Sequence, residues 1–145
     1  MKVVCEVQDI KNILIEFQEV LPSLSSGRVD VDLFATKIHK NGFLCVFDEK
    51  EENKGFAAFY ANNLQTYEAF LSMIAVKPKY QKEHIGSKIL AFVEEMSIRK
   101  GMKFLRLEVR KKNDGAIIFY RKKGFSVYDQ SEDSWFMQKR IGEFL

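Results

Sequence analysis

The chain has 145 residues, 46% hydrophobic and 13% aromatic, with a formal net charge of +3. That length fits one domain around a single sizeable core, and the apolar content excludes a disordered chain. No apolar run reaches membrane-span length, the first residues lack a signal-peptide core, and the two cysteines and two histidines show no metal-ligand spacing, so the expectation is a reduced, cytoplasmic, metal-free protein.

Residues 3–7 read as an opening strand. Asp9 can cap a helix whose stripe is Ile10, Ile13, Leu14, Phe17, Val20 and Leu21. Residues 22–27 are loop-like, and a second helix is predicted over about 31–39, stopped by Asn41-Gly42. Residues 43–47 and 55–60 suit two strands of a hairpin, with the charged stretch 48–54 as a solubilising tip. The nearly continuous apolar run 68–76, bounded by Pro78, suits a buried strand. Ile85, Ile89, Phe92, Val93 and Met96 then recur at helical spacing, and Arg99, Lys100 and Gly101 end that helix. Next, residues 103–109 alternate, with Phe104, Arg106 and Glu108 on one face and Leu105, Leu107 and Val109 on the other. This strand follows a crossover helix, which predicts parallel pairing or close neighbourhood with 68–76. A short helix over 113–124 is capped by Asn113 or Asp114 and closed by Gly124, and strands at 125–128 and 135–139 finish the chain. The order is β-α-α-β-β-β-α-β-α-β-β, an α/β domain spanning 1–145.

Charge is unevenly placed. Residues 77–123 carry 14 Lys and Arg against 5 Asp and Glu, while the rest carry 9 against 15. The junction 77–82 leads into a helix N-terminus, where unpaired N–H groups and a partial positive charge favour anions. Lys77, Lys79, Lys82 and Lys88 would reinforce such a seat, although a solvated crossover has the same composition. The aromatics do not interleave with these lysines as a stacking platform requires, so no nucleic-acid partner is expected.

Two motifs carry more specific information. Gln81-Lys-Glu-His-Ile-Gly86 resembles the Arg/Gln-x-x-Gly-x-Gly/Ala signature of the GNAT superfamily of N-acetyltransferases, with His84 at the usual first glycine. Asn113, Ala116, Tyr120, Gly124 and Phe125 match that family's Asn-x-x-Ala-x-x-x-Tyr-x-x-x-Gly-Phe pattern. The element order resembles the family throughout, and specific residues match mainly across 68–128.

The resemblance implies a mixed central sheet of about seven strands and a transferase that moves an acetyl group from acetyl-CoA to a primary amine of a small molecule or peptide. It implies that Ile74, Ala75 and Val76 hold the pantetheine arm, and that Gln81, Lys82, His84, Ile85, Gly86 and Ser87 seat the pyrophosphate. For the N–H of His84 to point inward, right-handed helical geometry is expected there. Asn113 and Tyr120 would also meet the cofactor, with Tyr120 as general acid and Glu68 as candidate base. Residues 21–28 would border the acceptor. Cys5 and Cys45 lie outside both motifs, which favours direct attack over a thiol intermediate. Edge strands make a homodimer as compatible as a monomer. The competing expectation is a non-catalytic module that binds acyl-CoA or a partner, kept open by His84 and by the weakly placed base.

Overall fold

The computed structural model describes residues 1–21, 24, 26, 27 and 29–142. Its elements are β1 (Lys2–Val4), α1 (Val7–Glu16), α2 (Val31–Asn41), β2 (Phe43–Glu49), β3 (Glu52–Tyr60), β4 (Glu68–Val76), a short 3-10 helix (Pro78–Glu83), α3 (Ile85–Arg99), β5 (Phe104–Arg110), α4 (Asp114–Lys122), β6 (Ser126–Gln130) and β7 (Ser134–Arg140). Seven strands form one sheet in the order β1-β2-β3-β4-β5-β7-β6. Only the β4–β5 pair is parallel, as its helical crossover requires. This is the α/β fold with a mixed sheet that the motifs imply.

Each face of the sheet carries its own core. On one, Ile10 and Leu14 of α1, Phe17 just after it, and Ala35 and Ile38 of α2 pack on Leu44, Val46, Phe56 and Ala58. On the other, Ile85, Ile89, Leu90 and Val93 of α3 join Leu105, Leu107 and Tyr120. Contact between α3 and the sheet is close at Gly55, where an added Cβ would lie 2.8 Å from Ile89 Cδ1 and 2.9 Å from the Ala75 carbonyl.

Strand β4 is irregular at one residue. Ala58 pairs with Met73 and Phe59 with Leu71, so Ser72 bulges out of register. The extra residue reverses the alternation of faces. Ala69 and Leu71 belong to the core under α3, whereas Met73 and Ala75 turn to the core under α1 and α2. Ile74 and Val76 consequently face α3.

Several local expectations are corrected. Helix α1 starts at Val7 behind Glu6, so Asp9 sits inside its first turn and is not the cap. The helix stops at Glu16, and Val20 and Leu21 follow in turns. Strands β2 and β3 run to Glu49 and Glu52, joined only by Lys50 and Glu51 at φ 54° and 62°. The charged tip is therefore largely paired strand. Of the three expected glycine closures, Gly101 (φ 88°) and Gly124 (φ 96°) are left-handed, whereas Gly42 ends α2 in extended geometry at φ -134°. No described helix is long and apolar enough to cross a membrane.

Candidate active site

The parallel pairing of β4 with β5 ends at Leu71 opposite Leu107. Beyond it β4 continues to Val76 against β3, and β5 continues to Arg110 against β7. Among the described residues neither strand takes a strand partner on the side where they part, so the backbone groups of 72–75 that do not pair with β3 face open space. A cleft of about 930 Å³ fills the gap. It lies at the carboxyl ends of two parallel strands, the usual place for a ligand on such a sheet.

Of the residues singled out from sequence, Ile74, Ala75, Val76, Gln81, His84, Gly86, Ser87, Asn113 and Tyr120 line this one cleft. The floor is β4, one end is the start of α3, and one wall is α4. Helix α3 makes its first intrahelical bond from Lys88 N to the His84 carbonyl, at 3.2 Å. The N–H groups of Ile85, Gly86 and Ser87 precede it and have no carbonyl within the helix. Ile85 buries its side chain in the core and does not line the cleft. At Gly86 an added Cβ would meet Phe119 at 3.6 Å and Val76 at 3.8 Å, ordinary contact distances. Packing therefore does not demand glycine there. A bare backbone beside open space is what a phosphate group needs for close approach.

His84 adopts φ 60° and ψ 23°, which corrects the expected right-handed geometry. The left-handed region is where the family's glycine would be at ease, and histidine is among the side chains that enter it most readily. The backbone thus keeps the glycine-like turn between the 3-10 helix and α3. The side chain of Gln81 folds back, its amide donating to the Val76 carbonyl at 3.2 Å.

The basic seat is different from its expected form. Lys77 lies 2.8 Å from Glu16, and Lys79 lies 3.1 Å from Glu52. Lys88 sits over the Phe47 ring at 5.5 Å. None of Lys77, Lys79, Lys82 or Lys88 lines the cleft, because carboxylates of α1 and β3 draw the first two to the opposite side. His84 and Arg110 are the basic side chains on the lining.

Tyr120 is 7% exposed, between Phe119 and Phe125 with ring centroids at 5.4 and 5.6 Å. Burial pushes its phenol up to about 12, so it keeps its proton at any ordinary pH. Asn113 caps α4 by accepting from Ala116 N at 3.1 Å. Glu68 stands apart. It faces Phe104 at the fully paired base of the two strands and bonds Arg106 at 2.9 Å. At about 3.3 Å per residue it lies roughly 10 Å below the end of pairing, and it does not line the cleft. The structure therefore does not bring Glu68 together with the other expected site residues.

The carboxylate on the lining is Glu108 of β5, with no acidic companion among the described lining residues. It is exposed, and no described residue forms an ion pair with it. Alternation puts its side chain on the face away from Leu107 and Val109, hence away from Tyr120. Its signal was present in sequence as the last polar position before the strand end, on the same face as Arg106. Of the expected acceptor border, Leu21 lines the cleft, while Pro22, Ser23, Ser25 and Arg28 lie outside the described residues. Cys45 is buried on β2 with its thiol pushed up to about 12 by burial, and neither cysteine reaches the cleft.

A family model described as Acetyltransferase (GNAT) family matches residues 7–125. The chain belongs to the GNAT family. Over 72 residues it is 33% identical to a spermidine N(1)-acetyltransferase of Thermoplasma acidophilum, covering 50% of this chain and 45% of that protein. Over 75 residues it is 36% identical to a ribosomal protein bS18-alanine N-acetyltransferase of Escherichia coli, covering 52% and 51%. The chain thus spans about half the length of the curated relatives it matches. Among solved structures, the Escherichia coli ribosomal-protein-S18-alanine N-acetyltransferase superposes with a TM-score of 0.78 at 20% identity, covering 99% of this chain and 95% of that one. A PaiA N-acetyltransferase from Thermoplasma acidophilum, in complex with coenzyme A, gives 0.73 at 19% identity, covering 96% and 98%. At these identities the structural likeness establishes the GNAT fold.

Proposed function

We propose that this chain, as one domain over 1–145, transfers an acetyl group from acetyl-CoA to a primary amine by direct attack. The observation that carries this reading is the parting of β4 and β5 beyond Leu71 and Leu107, with an exposed helix N-terminus and Tyr120 on the same cleft. The unpaired edge of β4 suits the amides of a pantetheine arm, and the N–H groups of Ile85, Gly86 and Ser87 suit a pyrophosphate. A backbone N–H of the 74–76 stretch polarises the thioester carbonyl.

The amine enters from the face of α1 and α2, where Leu21, Phe70, Met73 and Glu108 meet the cleft. Glu108 takes a proton from the amine, directly or through water, as its nitrogen bonds to the acetyl carbon. The carbon–sulfur bond breaks, and Tyr120, on the other face, donates to the departing thiolate. A buried phenol at about 12 is a poor donor to a thiolate of ordinary pKa near ~8.5. The same desolvation raises the thiolate as it forms, which narrows the mismatch. The relatives named for spermidine and for the ribosomal-protein alanine make a polyamine and a peptide N-terminus the first acceptors to try.

The test is CoA release from acetyl-CoA, with spermidine and an alanine-terminated peptide, by wild type and Tyr120→Phe. Turnover should fall about 10²-fold in the variant, with acetyl-CoA affinity by calorimetry within about twofold. Unchanged turnover removes Tyr120 from the chemistry. Binding of acetyl-CoA without turnover on any amine returns the chain to the non-catalytic alternative.

A further inference from the structure

The 3-10 helix Pro78–Glu83 leads into the N-terminal turn of α3, yet none of its own residues is buried. Its one large apolar side chain, Tyr80, is only partly buried against the core under α3, Gln81 turns to the Val76 carbonyl, and the further polar contacts run to β3, away from the cleft. The Tyr80 hydroxyl donates to the Glu52 carboxylate, which also has Lys79 at 3.1 Å and Lys77 at 3.7 Å. Lys54, only 7% exposed, places its ammonium 2.8 Å from Glu49, 3.6 Å from Glu83 and 4.4 Å from the Tyr80 ring centroid. Its carbonyl accepts from Lys77 N at 2.9 Å.

A buried ammonium is costly unless paired, and this one is paired with Glu49 of β2 and with Glu83 at the end of the segment it holds. Glu52 and Lys54 therefore grip the 3-10 helix at its start, middle and end. Directly after Glu83 comes His84 in its left-handed conformation, the pivot that sets the direction of α3. Neither Glu52, Lys54, Tyr80 nor Glu83 lines the cleft.

Resting on the acetyltransferase reading above, we propose that Lys54 and Tyr80 are positioning residues, which hold the N–H groups of Ile85, Gly86 and Ser87 at the geometry the donor's pyrophosphate requires. They touch neither substrate, so their effect is confined to donors that carry a pyrophosphate.

The experiment compares acetyl-CoA with S-acetylpantetheine, which lacks the pyrophosphate and the nucleotide, on wild type, Lys54→Met, Lys54→Arg and Tyr80→Phe. Lys54→Met and Tyr80→Phe should raise KM for acetyl-CoA about tenfold with kcat within about twofold. Their kcat/KM for S-acetylpantetheine should stay at the wild-type value, and Lys54→Arg should recover most of the acetyl-CoA KM. An equal loss on both donors marks a general structural role and overturns the proposal, as does an unchanged KM. Should Lys54→Met fail to fold by circular dichroism, Tyr80→Phe, which keeps the ring, carries the same split. A wild type that binds no acetyl-CoA sinks the acetyltransferase reading itself, whereas unaffected variants of an active wild type sink only this one.

Discussion

Glu108 and Tyr120 reach the cleft from opposite faces of the sheet, and the proposed reaction gives each a different partner. Glu108→Gln keeps size and polarity but cannot accept the proton. Its kcat should drop about 10²-fold at neutral pH, and the deficit should shrink as pH rises and more amine arrives neutral. A pH–rate profile on a defined amine checks this, and a constant deficit at all pH values would argue against a base. Gly86→Ala tests the opposite end of the cleft. Its Cβ meets only ordinary contacts within the protein, and alanine is favoured over glycine in a helix by roughly 0.5–1 kcal/mol. The variant should be as stable as wild type or slightly more so, while acetyl-CoA binding by calorimetry weakens. Loss of stability instead would show that packing holds the glycine in place. Both residues were written in the sequence, but only Gly86 stood in a motif. An acidic residue on an alternating strand looks the same whether it faces solvent or a cleft.

At the level of elements, most of the frame follows from periodicity and glycine punctuation. Strand β4 shows where that reasoning ends. Its residues 68–76 are so uniformly apolar that alternation leaves no trace, and a one-residue bulge at Ser72 cannot be seen. A single phase run through the strand puts Glu68, Phe70, Ser72, Ile74 and Val76 on one face and hides the reversal beyond Leu71. The hairpin tip failed for another reason. Charge signals a loop only if the charges lack partners, and here Glu49 pairs with Lys54 across the hairpin, while Glu52 and Lys54 find further partners at Lys79, Tyr80 and Glu83. The fit of α3 on β3 gives a prediction of its own. Gly55→Ala would force a Cβ within 3 Å of Ile89 and of the Ala75 carbonyl, and overpacking of this kind costs typically 1–3 kcal/mol. Urea unfolding should show a loss in that range. No loss would mean that α3 can slide on the sheet.

For the molecule as a whole, the buried phenol links the site to stability. Tyr120 ionises near 10 when unfolded and only at about 12 when folded, so the folded state holds its proton more tightly. That contribution is intact below pH 10 and is lost as pH climbs toward 12. It amounts to roughly 2–3 kcal/mol over that interval. Unfolding midpoints at pH 9 and pH 11.5 should therefore separate in wild type by more than in Tyr120→Phe, and equal separations would place the proton elsewhere. Sequence order was sufficient for the global topology because the two motifs fix which strands flank the crossover helix. It was insufficient for the direction of the lysines, which depends on carboxylates brought close only by folding.

The bulge at Ser72 has a consequence for how such a protein can diverge. Upstream and downstream of it the strand is read in two frames, so Met73 and Ala75 answer to the helices of the amino-terminal third, while Ile74 and Val76 answer to α3. Two inheritances are thereby carried on one strand. If the proposed function holds, substitutions at 73 and 75, together with α1 and α2, would change the acceptor side without disturbing the residues that face α3. A deletion of Ser72 would leave Leu71 and Met73 opposite successive residues of β3, Phe59 and Ala58, so the irregularity would go while both sets kept the faces they hold.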